Sequence, residues 1–405
     1  MKDTSFKHLQ AIIGILFTFF IFTPFLILFI LSDHDLDLQT LLTLFIAIII
    51  LILYLLFLTQ TLLHDRKEYY LTYGLLIGIF ASLIAGVDKI QVLSHFFNNS
   101  DQPTIISLVL WSITYLFIYF FFESLYSIEV NNKRFFLVIV FFMISIISHL
   151  SILVAPMESS VFWNWADLGY DGLGIIIFIF GIWVLYKSYK QVGGETTELL
   201  QMFGLSFILL GFILGFLIDF SFVFVDISGF DPSTFLESYF GDLVKVIGII
   251  LFTFSYIREI DYIYRLPFPI YSIIFFKSDS GLSLNVTNFN NVSQEKTIKL
   301  DENLITGTIS AIMTLLKEGL GSKGFLKTII SSDQSILVSS NDEASIAVIT
   351  SRPTKILQNS LKMALDEFTI NFKHNFHVDK AIEISEFSNT KLILKKAFPY
   401  LNIQN

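Results

Sequence analysis

The chain has 405 residues, of which 54% are apolar and only 15% charged, with a formal net charge of −9. Soluble domains carry about 25% charged residues, so the deficit argues for a membrane protein. The complete lack of cysteine excludes disulfides, thiolate metal centres and cysteine nucleophiles.

The acidity is unevenly placed. Residues 1–265 carry 12 Lys+Arg against 22 Asp+Glu, a balance of −10, and residues 266–405 carry 14 against 13, a balance of +1, which together make the −9. Neither half has the basic footprint of a nucleic-acid binder. The first part is apolar in long blocks. A helix that crosses the ~30 Å hydrocarbon core needs about 20 apolar residues, and eight stretches qualify: roughly 9–32, 40–63, 70–97, 104–128, 134–156, 168–190, 198–225 and 238–260. The first follows Lys2 and Lys7 as a signal peptide would, yet it has no small-residue cleavage pattern and reads as a retained helix.

Basic residues orient these spans. Lys2 and Lys7, Arg66 and Lys67, Lys133 and Arg134, Lys187 and Lys190, and Arg258 and Arg265 all fall in alternate connections. The intervening segments SDHDLDLQ, NNSDQPT, MESSVFWNWADLGYDG and FVDISGFDPSTFLESYFGD hold no lysine or arginine. About eight spans with both termini cytoplasmic, in a plasma membrane, is the topology expected.

After span eight comes YIREIDYIYRLPFPIYSIIFFKSDSG, residues 256–281. Its apolar run Ile270–Phe276 is too short to cross a bilayer as a helix. Pro267 and Pro269 stop the preceding helix from continuing through it. An aromatic and β-branched run between Pro and Ser-Asp-Ser-Gly reads as a buried strand, and GLSLNVTNF (281–289) would return as the second arm of a hairpin. DENLITGTISAIMTLLKEGLG predicts a helix with Asp301 as its N-cap. Strands are expected at 324–332, 334–340 and 344–351, then a long amphipathic helix from Thr354 and a further helical piece after Asp379. Residues 1–265 are thus read as a transmembrane helical domain. Residues 266–405 are read as an α+β two-layer domain, a five-stranded antiparallel sheet with helices on one face.

This element order, with the FKSDSGLSL hairpin and the LITGTISAIMTLLKE helix, resembles the longin and roadblock-like domains of the profilin-like fold. The resemblance covers about the last third of the chain. It implies a non-catalytic cytoplasmic platform, often a homodimer, that binds a small GTPase or another cytoplasmic signalling protein. The eight-span part is similar in architecture to the multi-span input modules of prokaryotic sensors. No kinase core follows the last span.

Few motifs carry chemistry. GLGSKG (319–324) has GxGxxG spacing, but it lies after a helix and before a strand, the reverse of a dinucleotide site. GFILG (211–215) would let a second helix approach closely. Ionisable residues inside the spans are more informative, because they normally face a cavity or one another. Asp88 and Lys89 in span three, His149 in span five, Asp167 and Asp171 at the entrance to span six, Asp219 in span seven, and Asp242 and Lys245 in span eight all fall toward the outer leaflet. Two readings stand: interfacial anchoring by ion pairs and a Trp/Tyr belt, or an outward-facing polar pocket for a small cationic or polar ligand, an ion or protons. No cofactor, no metal and no paired nucleophile and base are expected. The sequence therefore points to a non-enzymatic multi-pass receptor or scaffold that couples an outer-side cue, or membrane anchoring, to a cytoplasmic partner. The alternative is a transporter or channel with a regulatory domain.

Overall fold

A computed structural model of the chain describes residues 49–59, 69–89, 102–154, 159–192, 196–224, 235–259, 263–289, 301–319, 326–331, 333–376, 387 and 390–401. The first expected span, most of the second, the GSKG stretch and the piece after Asp379 up to Glu386 lie outside these residues.

Seven helices precede the sheet among the described residues: α1 (Ile49–Thr59), α2 (Tyr69–Lys89), α3 (Gln102–Tyr126), α4 (Asn132–Val154), α5 (Ser159–Val192), α6 (Thr196–Phe224) and α7 (Phe235–Arg258). Four of them, over Gln102–Tyr126, Asn132–Val154, Val161–Gln191 and Thr196–Phe220, are each long and apolar enough to cross a membrane. They are the fourth to seventh stretches read from the sequence.

One boundary differs from expectation. The sixth span is expected over 168–190, with MESSVFWNWADLGYDG as a connection free of lysine and arginine, yet α5 is helical from Ser159 and runs 34 residues. At 1.5 Å per residue that is about 51 Å, well beyond a hydrocarbon core. Its glycines serve packing. A Cβ on Gly169 would lie 2.5 Å from the Ser145 backbone nitrogen of α4, and one on Gly172 would lie 2.3 Å from the Phe141 ring.

The remaining elements form a small domain: β1 (Ile270–Lys277), β2 (Ser283–Asn288), α8 (Glu302–Thr314, ending in a π-turn at Leu315–Gly319), β3 (Thr328–Ile330), β4 (Ser335–Ser340), β5 (Ala344–Thr350), α9 (Lys355–Phe376) and α10 (Thr390–Ala397). The sheet is five-stranded and antiparallel, in the order β2-β1-β5-β4-β3. IYSIIFF is indeed a strand. It lies inside the sheet, hydrogen-bonded to β2 on one side and β5 on the other. The β1–β2 hairpin turns through Gly281 at φ +67°, where a side chain would be strained. In the same turn, slight burial would raise the Asp279 carboxyl, but hydrogen bonds from Lys277 and Ser280 outweigh it and hold the group below its usual range.

The helices do not share one face, which corrects the two-layer expectation. Ile274 and Phe276 of β1 pack with Ile309 of α8, Val338, Ala347 and Ile349. The alternate residue Phe275 instead stacks on Phe368 of α9, with ring centroids 4.5 Å apart. Successive strand side chains point to opposite faces, so α8 covers one face of the sheet and α9 the other. All seven residues of β5 are buried, as a strand covered on both sides requires. Asp301 caps α8 as expected, its Oδ1 accepting from the Leu304 N–H at 3.1 Å.

Two compact units result. One comprises residues up to Phe121, Asn132–Ile182 and Leu200–Ile260. The other joins Phe122–Asn131 and Trp183–Leu199 to Asp261 and everything after it. The second unit therefore contains the sheet domain together with the C-terminal ends of α3 and α5 and the start of α6.

Candidate functional site

In the helical unit, five of the expected residues gather. Lys245 of α7 donates from Nζ to Asp171 Oδ1 of α5 at 3.2 Å, and to Asp242 Oδ1 on its own helix at 3.2 Å. The Asp171 side chain is only 7% exposed and that of Lys245 14%, whereas Asp242 is 53% exposed. The group thus has a buried side and an open side. Asp219 of α6 lies within hydrogen-bonding range of Asp171, and Asp167 lies within electrostatic range of Asp171, Lys245 and Asp242. Two carboxylates therefore pair with the ammonium, and two more carboxyl groups stand within its electrostatic reach.

Aromatic rings wall the ammonium. The Lys245 Nζ stands 4.4 Å from the Phe212 ring centroid and 5.8 Å from that of Tyr170, both within cation–π range. Tyr170 and Tyr115 of α3 join their hydroxyls at 3.0 Å. Phe178 stacks on Phe212 with centroids 5.5 Å apart.

The GxxxG pair makes the space. A Cβ on Gly211 would meet Gly241 O and Lys245 Cγ, each at 2.5 Å, so that glycine lets α7 and its lysine approach α6. A Cβ on Gly215 would fall 1.9 Å from Asp171 Oδ2, so the second glycine admits the carboxylate of α5. Asp219 follows Gly215 by one helical turn and shares its face. The motif thus builds a three-helix polar contact, beyond the helix–helix approach read from its spacing.

His149 is not part of this group. It is fully buried on α4, its ring edge-on to Trp163 at 5.9 Å. Its Nδ1 lies 2.8 Å from the Ser145 carbonyl, which only accepts, so Nδ1 carries the hydrogen. The Ser145 hydroxyl is 3.0 Å from that of Ser112, which lies 3.0 Å from the Leu108 carbonyl. Nε2 has no hydrogen-bond partner among the described residues. Asp88 and Lys89 end α2, and their side chains lie outside the described residues.

The second unit holds a constellation that the sequence reading did not reach. Tyr126, at the end of α3, packs its ring 4.7 Å from Trp183 of α5 and 5.3 Å from Phe268, just ahead of β1. Lys187 of α5 places Nζ 4.0 Å from the Trp183 centroid and 5.3 Å from that of Tyr126. Arg352, just after β5, stands 4.4 Å from Tyr126 and 5.4 Å from Phe268. Glu198 of α6, 4% exposed, pairs with Arg265 at 3.1 Å. Glu123 accepts from the Asn131 N–H at 3.0 Å and the Ser127 hydroxyl at 3.3 Å, closing the α3–α4 turn. The one sequence signal was basic and aromatic residues at the span ends, which also serve as bilayer anchors.

Among the described residues no group of three or more His, Asp or Glu is placed to hold a metal. Among the described residues, four apolar helices could span a membrane, and a small five-stranded antiparallel sheet domain follows them. Comparison with protein-family models, with curated proteins and with solved structures returns no match.

Proposed function

We propose that the chain is a non-enzymatic integral membrane receptor or scaffold of the plasma membrane. It spans the bilayer about eight times with both termini cytoplasmic. Residues 266–405 act as a longin/roadblock-like platform for a small GTPase or another cytoplasmic signalling protein. The observation that carries the reading is the Lys245–Asp171 pair at 3.2 Å, buried where α5, α6 and α7 meet. Ionisable groups are costly within a membrane and are retained where they serve a pathway or a switch. This pair ties helices whose relative positions a bound cue could alter, and Asp242 leaves one side of the group exposed. α5 also continues into the unit that holds the sheet domain.

The carboxyl excess around Lys245 favours a second reading, a cation- or proton-coupled transporter with a regulatory domain. Against it, among the described residues the carboxyl groups around Lys245 gather in one place and trace no route along the bundle. Two measurements on the full-length protein separate the readings. A receptor or scaffold retains a cytoplasmic protein in a detergent pull-down, loses it on truncation at residue 266, and moves neither protons nor methylammonium into proteoliposomes. Uptake that Lys245→Met abolishes, with no retained protein, establishes the transporter instead.

A further inference from the structure

The sheet domain is held to the helix ends at one particular place. Phe268 precedes β1 by two residues and Arg352 follows β5 by two. Those strands are neighbours, with Ile270 paired to Thr350, so both residues project from the same end of the two central strands. Thr350 Oγ1 donates to the Pro269 carbonyl at 2.9 Å and knits the two strand ends together. Tyr126 of α3 meets Phe268 and Arg352 there, while Lys187 and Trp183 of α5 close the other side. A third strand of contact is backbone: the Lys355 N–H, at the first turn of α9, donates to the Ser127 carbonyl at 3.3 Å. A helix leaves its first N–H groups without intrahelical partners, and the α3–α4 turn supplies one.

We propose that this interleaved stack, Arg352–Tyr126/Phe268–Lys187–Trp183, is a mechanical joint that makes the sheet domain move with α3 and α5. Its two cations hold aromatic faces from opposite elements, an arrangement suited to the planar guanidinium of Arg352. A displacement of either helix end reaches the central strands of the sheet through side chains in direct contact. It does not have to pass along the Arg258–Pro269 connection alone. Coupled rigid elements of this kind pass on a helix shift, whereas a tethered module absorbs it. The joint stands whatever occupies the Asp171–Lys245 group, so it can fail without the receptor reading failing, and the reverse.

The chain has no native cysteine, which makes cross-linking unambiguous. The full-length protein carrying Ser127→Cys and Lys355→Cys is treated in membranes with a short bismaleimide, and linked peptides are quantified by mass spectrometry. The comparison pair is Ser127→Cys with Leu304→Cys. Leu304 is exposed on α8, which covers the opposite sheet face from α9. The joint requires the 127/355 pair to link at least several-fold more than the 127/304 pair. It also requires Arg352→Ala or Tyr126→Leu to lower that yield several-fold while Tyr126→Phe, which keeps the ring, leaves it. Equal yields for the two pairs, or a 127/355 yield indifferent to Arg352→Ala and Tyr126→Leu in protein that elutes like the parent, overturns the joint.

Discussion

Lys245 and Asp171 are balanced by each other in a setting where neither is well solvated. Removing one partner of a buried pair leaves the other charge uncompensated, at a cost of about 3–5 kcal/mol, while removing both is often nearly neutral. Lys245→Met is therefore expected to lower thermal stability in detergent sharply, and Asp171→Asn/Lys245→Met to recover most of the loss. A double variant no more stable than the single would show that the pair is not the unit. Glycines supply a second contrast at this scale. Gly215→Ala drives a methyl into Asp171 Oδ2 and should cost about 1–3 kcal/mol, as overpacking does. Gly307 in α8 has nothing within 4 Å of a built Cβ, so Gly307→Ala should stabilise by about 0.5–1 kcal/mol through helix propensity. Differential scanning fluorimetry on the two variants gives opposite signs if both environments are as described.

At the scale of elements, local chemistry was legible wherever it acts within a few residues. The Asp301 cap, the Gly281 turn and the strand character of IYSIIFF each follow from the neighbouring residues alone. Asp301→Ala should lose about 1 kcal/mol, the usual worth of an N-cap. The loss should appear as faster backbone amide exchange in the first turn of α8, with β1 and β5 unchanged. The sixth span starts at Ser159 and not near residue 168, where the uniformly apolar run begins, because a helix can continue through polar residues such as Asn164 and Asp167. Gly169 and Gly172 let Ser145 and Phe141 of α4 approach. The faces of the sheet were misassigned for a related reason. An unbroken apolar run such as Ile273–Phe276 fits any strand buried on both sides, and it does not say which helix covers which side.

At the scale of the molecule, the alternation of basic and acidic connections leads to a topology that a single-cysteine series can test. In the cysteine-free chain, a membrane-impermeant maleimide is expected to label Asn99→Cys in intact cells, and Lys190→Cys only after permeabilisation. Labelling of both from outside would break the orientation. The two compact units also do not follow the linear boundary at residue 265. Residues 122–131 and 183–199 belong with the sheet domain, which is the arrangement a coupling device needs and a tethered module lacks.

By itself the sequence determined the long apolar helices, the order of strands and helices after Pro269, and the set of ionisable residues worth watching. Those follow from composition, periodicity and short-range turn chemistry, which need no knowledge of what lies beside what. Only the tertiary structure decided that Asp171, Asp219, Asp242 and Lys245 meet while His149 stands apart among Ser145 and Trp163. It alone brought Tyr126, Lys187, Phe268 and Arg352 into one stack, across 226 positions of sequence between the first and the last. Pairings of that kind depend on the rotation of each helix about its axis and on which strands become neighbours. Both are set by packing the whole chain at once, and no local pattern encodes them.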